Sequence, residues 1–308
     1  MDIESGTANQ ITNQITNQIT NQITNQITNQ ITNPITNQIT NQITNQITDQ
    51  ITDQITDQIT DQITDQIEII YEDEFLVAIN KEAGLLVHRS WLDKGETRFA
   101  MQLTRDAVGC HVFPVHRLDK PTSGVLLFAK SSAVARSLGE AFTEHKVTKQ
   151  YLAVVRGYMP EQGTVDYALS FQPDAIADKF ANLDKPAQEA VTHWQSLAQI
   201  ELPFAVSKKH DTSRYSLMRL TPETGRKHQL RRHMRHLFHH IVGDTSHGDI
   251  RHTRFFRNHY DCTRMLLHAQ SLALSHPVTG EPLLLKAGLD DQWMRILEEF
   301  AWVESAKD

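Results

Sequence analysis

Val112-Phe-Pro-Val-His-Arg-Leu-Asp-Lys-Pro-Thr-Ser-Gly-Val-Leu-Leu-Phe-Ala129 sets two short apolar runs, Val112 to Val115 and Val125 to Ala129, on either side of a polar loop. Within that loop Pro121, the Thr122-Ser123 pair and Gly124 force a tight turn. The turn presents Asp119 at a strand end, between the cations Arg117 and Lys120, which favour its ionised form. Two readings of this carboxylate stand open: an ion-paired Asp on a surface turn, or a carboxylate held charged for chemistry.

Working outward, Ile67 to Tyr71 and Phe75 to Ile79 read as strands around the acidic turn Glu72-Asp-Glu74. Ala133 to Phe142 reads as a helix with Val134, Leu138 and Phe142 on one face. Tyr151 to Val155 is a strand ended by Gly157, and Ser216 to Leu220 is another. From Arg226 onward Leu230, Met234, Leu237 and Ile241 recur at helical spacing, which leaves the Arg and His residues for the other faces. Strands and helices mix without regular βαβ alternation. The pattern predicts an α+β fold with a mixed, largely antiparallel sheet flanked by helices.

A low-complexity tail precedes this part. Asn9 to Thr64 is fourteen consecutive Asn/Asp-Gln-Ile-Thr tetrapeptides, with Pro34 as the one interruption. The segment has no aromatic residue and no variety of apolar sizes, so it brings no core of its own. A lone helix or disorder is its expected state, and a weakly registered strand is the other possibility. The expected division is a repeat tail over 1–66, a globular domain over 67–302 and a short C-terminal tail over 303–308.

Charge follows the same division. The net charge of −7 sits wholly in residues 1–66, which carry seven acids and no Lys or Arg. Residues 207–264 hold thirteen Lys/Arg against five acids, a local surplus that suits a polyanion partner or simply a solvated face. Cys110 and Cys262 make no disulfide framework. There is no apolar run long enough to span a membrane and no signal core, so the cytoplasm is the expected location.

A second stretch, Thr224-Gly-Arg-Lys-His-Gln-Leu-Arg-Arg-His233, opens on a glycine turn and suits phosphate through Arg226 and Lys227. With His116-Arg-Leu-Asp-Lys-Pro-Thr-Ser-Gly124, with Lys149-Gln-Tyr151 and Val155-Arg-Gly157 between them, and with Gly243-Asp244 and Leu266-Leu-His-Ala269 downstream, the chain resembles the RluA-type pseudouridine synthases over residues 67–302. One departure is Asn80-Lys-Glu-Ala-Gly84, where the family has Pro in place of Glu82; its loss is expected to loosen that turn. Val87-His-Arg-Ser-Trp-Leu-Asp93, Ala177-Asp-Lys-Phe-Ala181, Val191-Thr-His-Trp194 and Gly243-Asp-Thr-Ser-His-Gly-Asp249 narrow the likeness to a member that modifies uridine 65 of certain tRNAs.

The resemblance implies an isomerase that turns uridine into pseudouridine in RNA, with no atom leaving and no cofactor required. It implies Asp119 as the nucleophile, Arg231 as its cation through a fork suited to bidentate pairing, and Tyr151 stacked on the target base. A base inside a stem must be flipped out, and Arg117 would fill the vacated space. His116 reads as a loop-packing residue rather than an acid or base. Leu267 is either a wall of the base pocket or a plain core leucine. RNA contacts are expected from Lys149, Arg226, Lys227, Lys208 and Lys209. The expected substrate is tRNA and the expected state a monomer.

Other classes carry less. His233, His236, His239 and His240 read as lying on a helix crowded with Arg, whose charge opposes a cation, so no metal site is expected. A glycosidase needs paired carboxylates, and the motif offers one. Action on ribosomal RNA is the nearest alternative, although relatives of that kind often carry an added N-terminal RNA-binding domain where this chain has the repeat. A non-catalytic tRNA-binding or folding module has little reason to keep Asp119, Tyr151 and Arg231 together. An assembly role for the repeat, with the enzyme as passenger, is a third class.

Overall fold

A computed structural model describes residues 3–28, 67–88, 95, 97–171 and 186–306. The chain divides into two units, Met1–Thr64 and Asp65–Asp308. In the first, the opening repeats form helix α1 (Ile3–Thr28). The hydroxyls of Thr16, Thr20 and Thr24 donate to the carbonyls of Thr12, Thr16 and Thr20 at 2.7, 2.7 and 2.6 Å, so these hydroxyls are satisfied along the helix itself. The later repeats and the segment 177–181 lie outside the described residues, as does most of Val87 to Asp93.

The second unit is built on a ten-stranded sheet. Its strands are β1 (Glu68–Glu72), β2 (Leu76–Lys81), β3 (Phe113–Pro114), β4 (Ser123–Ala129), β5 (Thr148–Arg156), β6 (Gln162–Asp166), β7 (Val191–Leu202), β8 (Ser213–Pro222), β9 (Leu267–Ser275) and β10 (Pro282–Lys286). The order is β1-β2-β4-β9-β5-β8-β7-β6, with β3 beside β4 and β10 beside β9. All pairings are antiparallel except β4 with β9. The mixed, largely antiparallel α+β fold expected from the sequence is the one observed.

The helices are α2 (Ala100–Val108), α3 (Ser132–Thr143), α4 (Gln229–His236), α5 (Ile250–Tyr260) and α6 (Asp291–Glu299). Strand alternation assigns each its layer. Leu76, Ala78, Val125 and Leu127 pack with Val134 and Leu138 of α3, whereas Val77, Ile79, Leu126 and Phe128 pack with Ala100 of α2. Leu152 and Val154 face Phe256 of α5 and Trp293 of α6, whereas Ala153 and Val155 face Leu230 and Met234 of α4. Tyr151 touches both the α2 cluster and the α4 cluster, so it marks the seam between them on that face of the sheet.

The parallel β4–β9 contact is only two residues long, Ser123 with His268 and Gly124 with Ala269. Gly124 sits at φ +111°, and a Cβ there would overlap the Ala269 backbone. This glycine is therefore required where the Asp119 loop enters the sheet.

Two expectations need correction. The helix expected to run through Ile241 stops at His236: Phe238 takes φ +63°, and Ile241 makes a β-bridge with Val155 instead. Its apolar spacing reflects one buried face, Leu230 and Met234 on the helix and Ile241 on the extended segment after it. His239 and His240 are accordingly not on the helix. Nor are residues 303–306 a tail, because Ala306 is buried with the α6 cluster and its carbonyl accepts from Gln270 Nε2 at 2.8 Å.

Candidate active site

Asp119 sits in the loop before β4, where the turn closes through Thr122 N donating to its carbonyl at 3.0 Å. Its side chain is 18% exposed and is shared by two adjoining cavities of about 1280 and 620 Å³. Arg231, on α4, donates Nη1 to Asp119 Oδ2 at 3.1 Å. Its other edge is occupied: Nε and Nη2 donate to Asp244 Oδ2 and Oδ1 at 2.7 and 2.8 Å. The bidentate partner of Arg231 is thus Asp244, not Asp119 as the fork geometry had suggested. Asp119 receives one hydrogen bond from the guanidinium and keeps Oδ1 free of it.

Asp244 is the residue that the sequence reading undervalued. Burial opposes its charge, yet hydrogen bonds from Arg231 and from the backbone of His247 and Ser246, both 2.9 Å, outweigh burial and lower its pKa. Arg231 shows the mirror image: burial opposes its charge, and Asp244 followed by Asp119 raises its pKa. The result is a guanidinium locked at one angle with a single N–H aimed at Asp119. Gly243, at φ +81°, supports this by letting the chain pass against the Arg264 carbonyl, where a Cβ would overlap.

His228 begins the same helix in the left-handed region, φ +54°. Its Nε2 lies 3.8 Å from Asp119 Oδ1 and its Nδ1 is 2.9 Å from His247 Nε2. Burial lowers its pKa, against the pull of Asp119. Neither His228 nor His247 was singled out from the sequence; their signal was only the spacing within the two motifs.

The smaller cavity brings together most of the expected residues. Tyr151, Leu267, Lys149, Arg226, Lys227 and Arg117 all line it with Asp119. A bulge between Gln150 and Tyr151 in the β5–β9 register re-aims the Tyr151 ring. Burial, and then the Asp119 charge, raises the phenol pKa, so it stays protonated. Leu267 is buried and contacts the α4 cluster, so it is at once a wall of the cavity and part of the core. Arg117 is exposed at the mouth. Lys149 is half-buried, which lowers its pKa, and its Nζ lies 3.4 Å from the Glu223 carbonyl.

The RNA pseudouridylate synthase family matches residues 75–236, which hold Asp119, Tyr151 and Arg231. The chain belongs to that family. This synthase is 57% identical to tRNA pseudouridine synthase C of Vibrio parahaemolyticus over 238 residues, 77% of this chain and 96% of that protein. It is also 57% identical to tRNA pseudouridine synthase C of Yersinia pestis over 236 residues, 77% of this chain and 91% of that one. Among solved structures it is similar to Human RNA Pseudouridylate Synthase Domain Containing 4, with TM-score 0.55 and 27% identity over 76% of this chain and 93% of that chain. A second, Human RNA Pseudouridylate Synthase Domain Containing 1, gives TM-score 0.55 and 26% identity over 73% and 84%. The synthase is therefore an isomerase.

Three features of the synthase site complete the geometry. His116 accepts from Leu127 N at 3.0 Å and stacks on Phe142; burial and then Lys149 push its pKa down to about 4, so it packs the loop as a neutral ring. Lys81 is fully buried and donates to the carbonyls of Glu82, Leu85 and Lys120 at 2.7, 2.8 and 3.3 Å. With Gly84 N on the Lys120 carbonyl at 2.8 Å, these bonds tie down the turn that carries Glu82. Lys208 and Lys209, by contrast, are not in the cleft. They precede β8, whereas Pro222 at its other end lines the cleft, about 30 Å away at roughly 3.3 Å per residue.

Proposed function

We propose that this synthase converts uridine 65 of tRNA to pseudouridine, with Asp119 as nucleophile. The observation that carries the reading is Asp119 held through one oxygen by Arg231 inside a cavity lined by Tyr151 and Leu267. The names of the relatives, tRNA pseudouridine synthase C, supply the substrate class.

The chemistry fits those groups. The N1–C1′ bond of the target nucleoside breaks, the base turns, and C5 bonds to C1′; C5 loses a proton and N1 gains one. Asp119 Oδ1, since Oδ2 is held by Arg231, bonds to C1′ as N1 leaves and is released as the carboxylate when C5 bonds to C1′. A fixed guanidinium is already in place beside the carboxylate and needs no rearrangement during the reaction. The neutral Tyr151 ring stacks on the flipped base, Leu267 walls the pocket, and Arg117 at the mouth fills the stem after flipping. Arg226, Lys227 and Lys149 engage phosphates beside the target.

The test is to incubate unmodified tRNA with the purified protein and map pseudouridine along it. A single new pseudouridine at position 65 is expected. Modification of another tRNA uridine would overturn the position, and modification of ribosomal RNA alone would overturn the substrate.

A further inference from the structure

A third cavity, of about 490 Å³, lies at the far end of β5 and β8 from Tyr151 and Pro222. Arg156, Lys209, Arg214 and Arg251 line it with His210 and His252, and no carboxylate is among the lining residues. The acids hold the cations in place. Arg156 Nη1 and Arg251 Nη2 reach Asp249 Oδ2 at 2.7 and 2.9 Å, and Arg214 Nε reaches Glu201 Oε2 at 3.1 Å. Asp249 is only 10% exposed and Glu201 is 36% exposed, against 54% and 56% for Arg214 and Arg251, so the cations reach further into solvent than the acids that hold them. Asp211, exposed in the loop before β8, is the other acid nearby.

The same neighbourhood holds an aromatic out in water. Phe238 is 75% exposed at φ +63°, and its carbonyl accepts from Arg156 Nη2 at 3.4 Å. Clustered guanidiniums suit phosphate oxygens, and an exposed ring beside them suits a nucleobase. Together they favour nucleic acid over a simple anion. The segment Gly243–Asp249 joins this place to the reaction centre, because Thr245 and Ser246 line the larger Asp119 cavity and Arg251 follows Asp249 by two residues.

We infer that the Arg156–Lys209–Arg214–Arg251 cavity is a second RNA-backbone site, taking phosphodiesters of the substrate roughly 20 Å from the target uridine, the span of five or six strand residues. It rests on the reading of tRNA as substrate, and it makes the enzyme sensitive to how far the folded RNA extends beyond the target stem. Arg254 and Arg257, exposed on α5 but outside the cavity, serve as the comparison for charge alone.

The experiment measures binding of intact tRNA, and of a short stem-loop carrying the same uridine, across several salt concentrations. It compares wild type, Arg214→Gln with Arg251→Gln, and Arg254→Gln with Arg257→Gln. Pseudouridine formation is scored on the same samples. The first double variant should lose roughly tenfold in tRNA affinity and about two units of salt slope, while stem-loop binding stays within about twofold. The second should lose less than about threefold on either RNA. Equal losses from the two double variants, equal losses on the two RNAs, no loss, or a wild type without preference for intact tRNA would each overturn the inference. If wild type binds tRNA but forms no pseudouridine in it, the functional reading fails and the binding comparison still decides the cavity.

Discussion

Asp119 receives one hydrogen bond from Arg231, from Nη1 to Oδ2 at 3.1 Å, and the opposite edge of that guanidinium is fixed on Asp244. The three residues form a line in which the outer carboxylate is buried and the inner one meets the cleft, at 1% and 18% exposure. This asymmetry separates a holding role from a reacting one.

Asp244→Ala leaves a buried guanidinium without its partner and should destabilise the fold by about 3–5 kcal/mol. Asp119→Ala removes a single bond at a partly exposed position and should cost clearly less. Urea unfolding of the two variants checks this; equal costs would mean that Asp244 does not anchor Arg231.

Arg231→Lys keeps a charge but cannot hold Asp244 through two nitrogens and reach Asp119 with a third. Its turnover should fall by at least about tenfold, about 1.4 kcal/mol in the barrier. Arg231→Ala removes the one guanidinium bond to Asp119 and leaves Asp244 buried without its partner, so its turnover should fall further than that of the Lys variant. A Lys variant with the wild-type rate would place Arg231 outside the reaction.

His268 is 1% exposed, bonded to Ser123 Oγ at 2.7 Å, and its pKa is pushed down to about 4, by burial first. Between the ordinary histidine value near 6.5 and about 4, the unfolded chain therefore binds more protons than the folded one. The stabilisation from a neutral His268 is full above pH 6.5 and is lost as pH falls through 4, on the order of 3 kcal/mol. His268→Asn removes this titration, so the wild-type advantage in urea should shrink across that window. A pH-independent difference would contradict the burial argument.

Much of this site was legible because its parts are local in sequence. The Asp119 loop is confined by Pro121 and Gly124, and Tyr151 follows from a strand that ends at Gly157. The Asp244 clamp was not legible: a buried bidentate pair joins α4 to a loop thirteen residues on, and nothing local distinguishes its carboxylate from any other. The α4 terminus was missed for a related reason. Helical spacing persists through Ile241 because the following extended segment buries the same side, although the backbone has already turned at Phe238. Lys208 and Lys209 were grouped with the cleft by charge, which carries no distance.

Residues 1–66 should be dispensable for turnover. They hold no His, Lys, Arg or aromatic residue, and their seven acids repel a polyanion. A chain beginning at Ile67 should convert tRNA within about threefold of the full protein, fastest relative to it at low salt, where repulsion is least screened. Loss of activity in a folded, monomeric truncation would make the tail part of the enzyme.

The most direct test of the central claim replaces one atom. Asp119→Asn keeps size and shape but removes the carboxylate charge and nucleophile. Single-turnover conversion of tRNA is measured for wild type and variant, with tRNA binding measured on the same preparations. The account predicts binding within a few-fold and no pseudouridine from Asp119→Asn. Pseudouridine formed by the purified variant at a rate near that of wild type would contradict it.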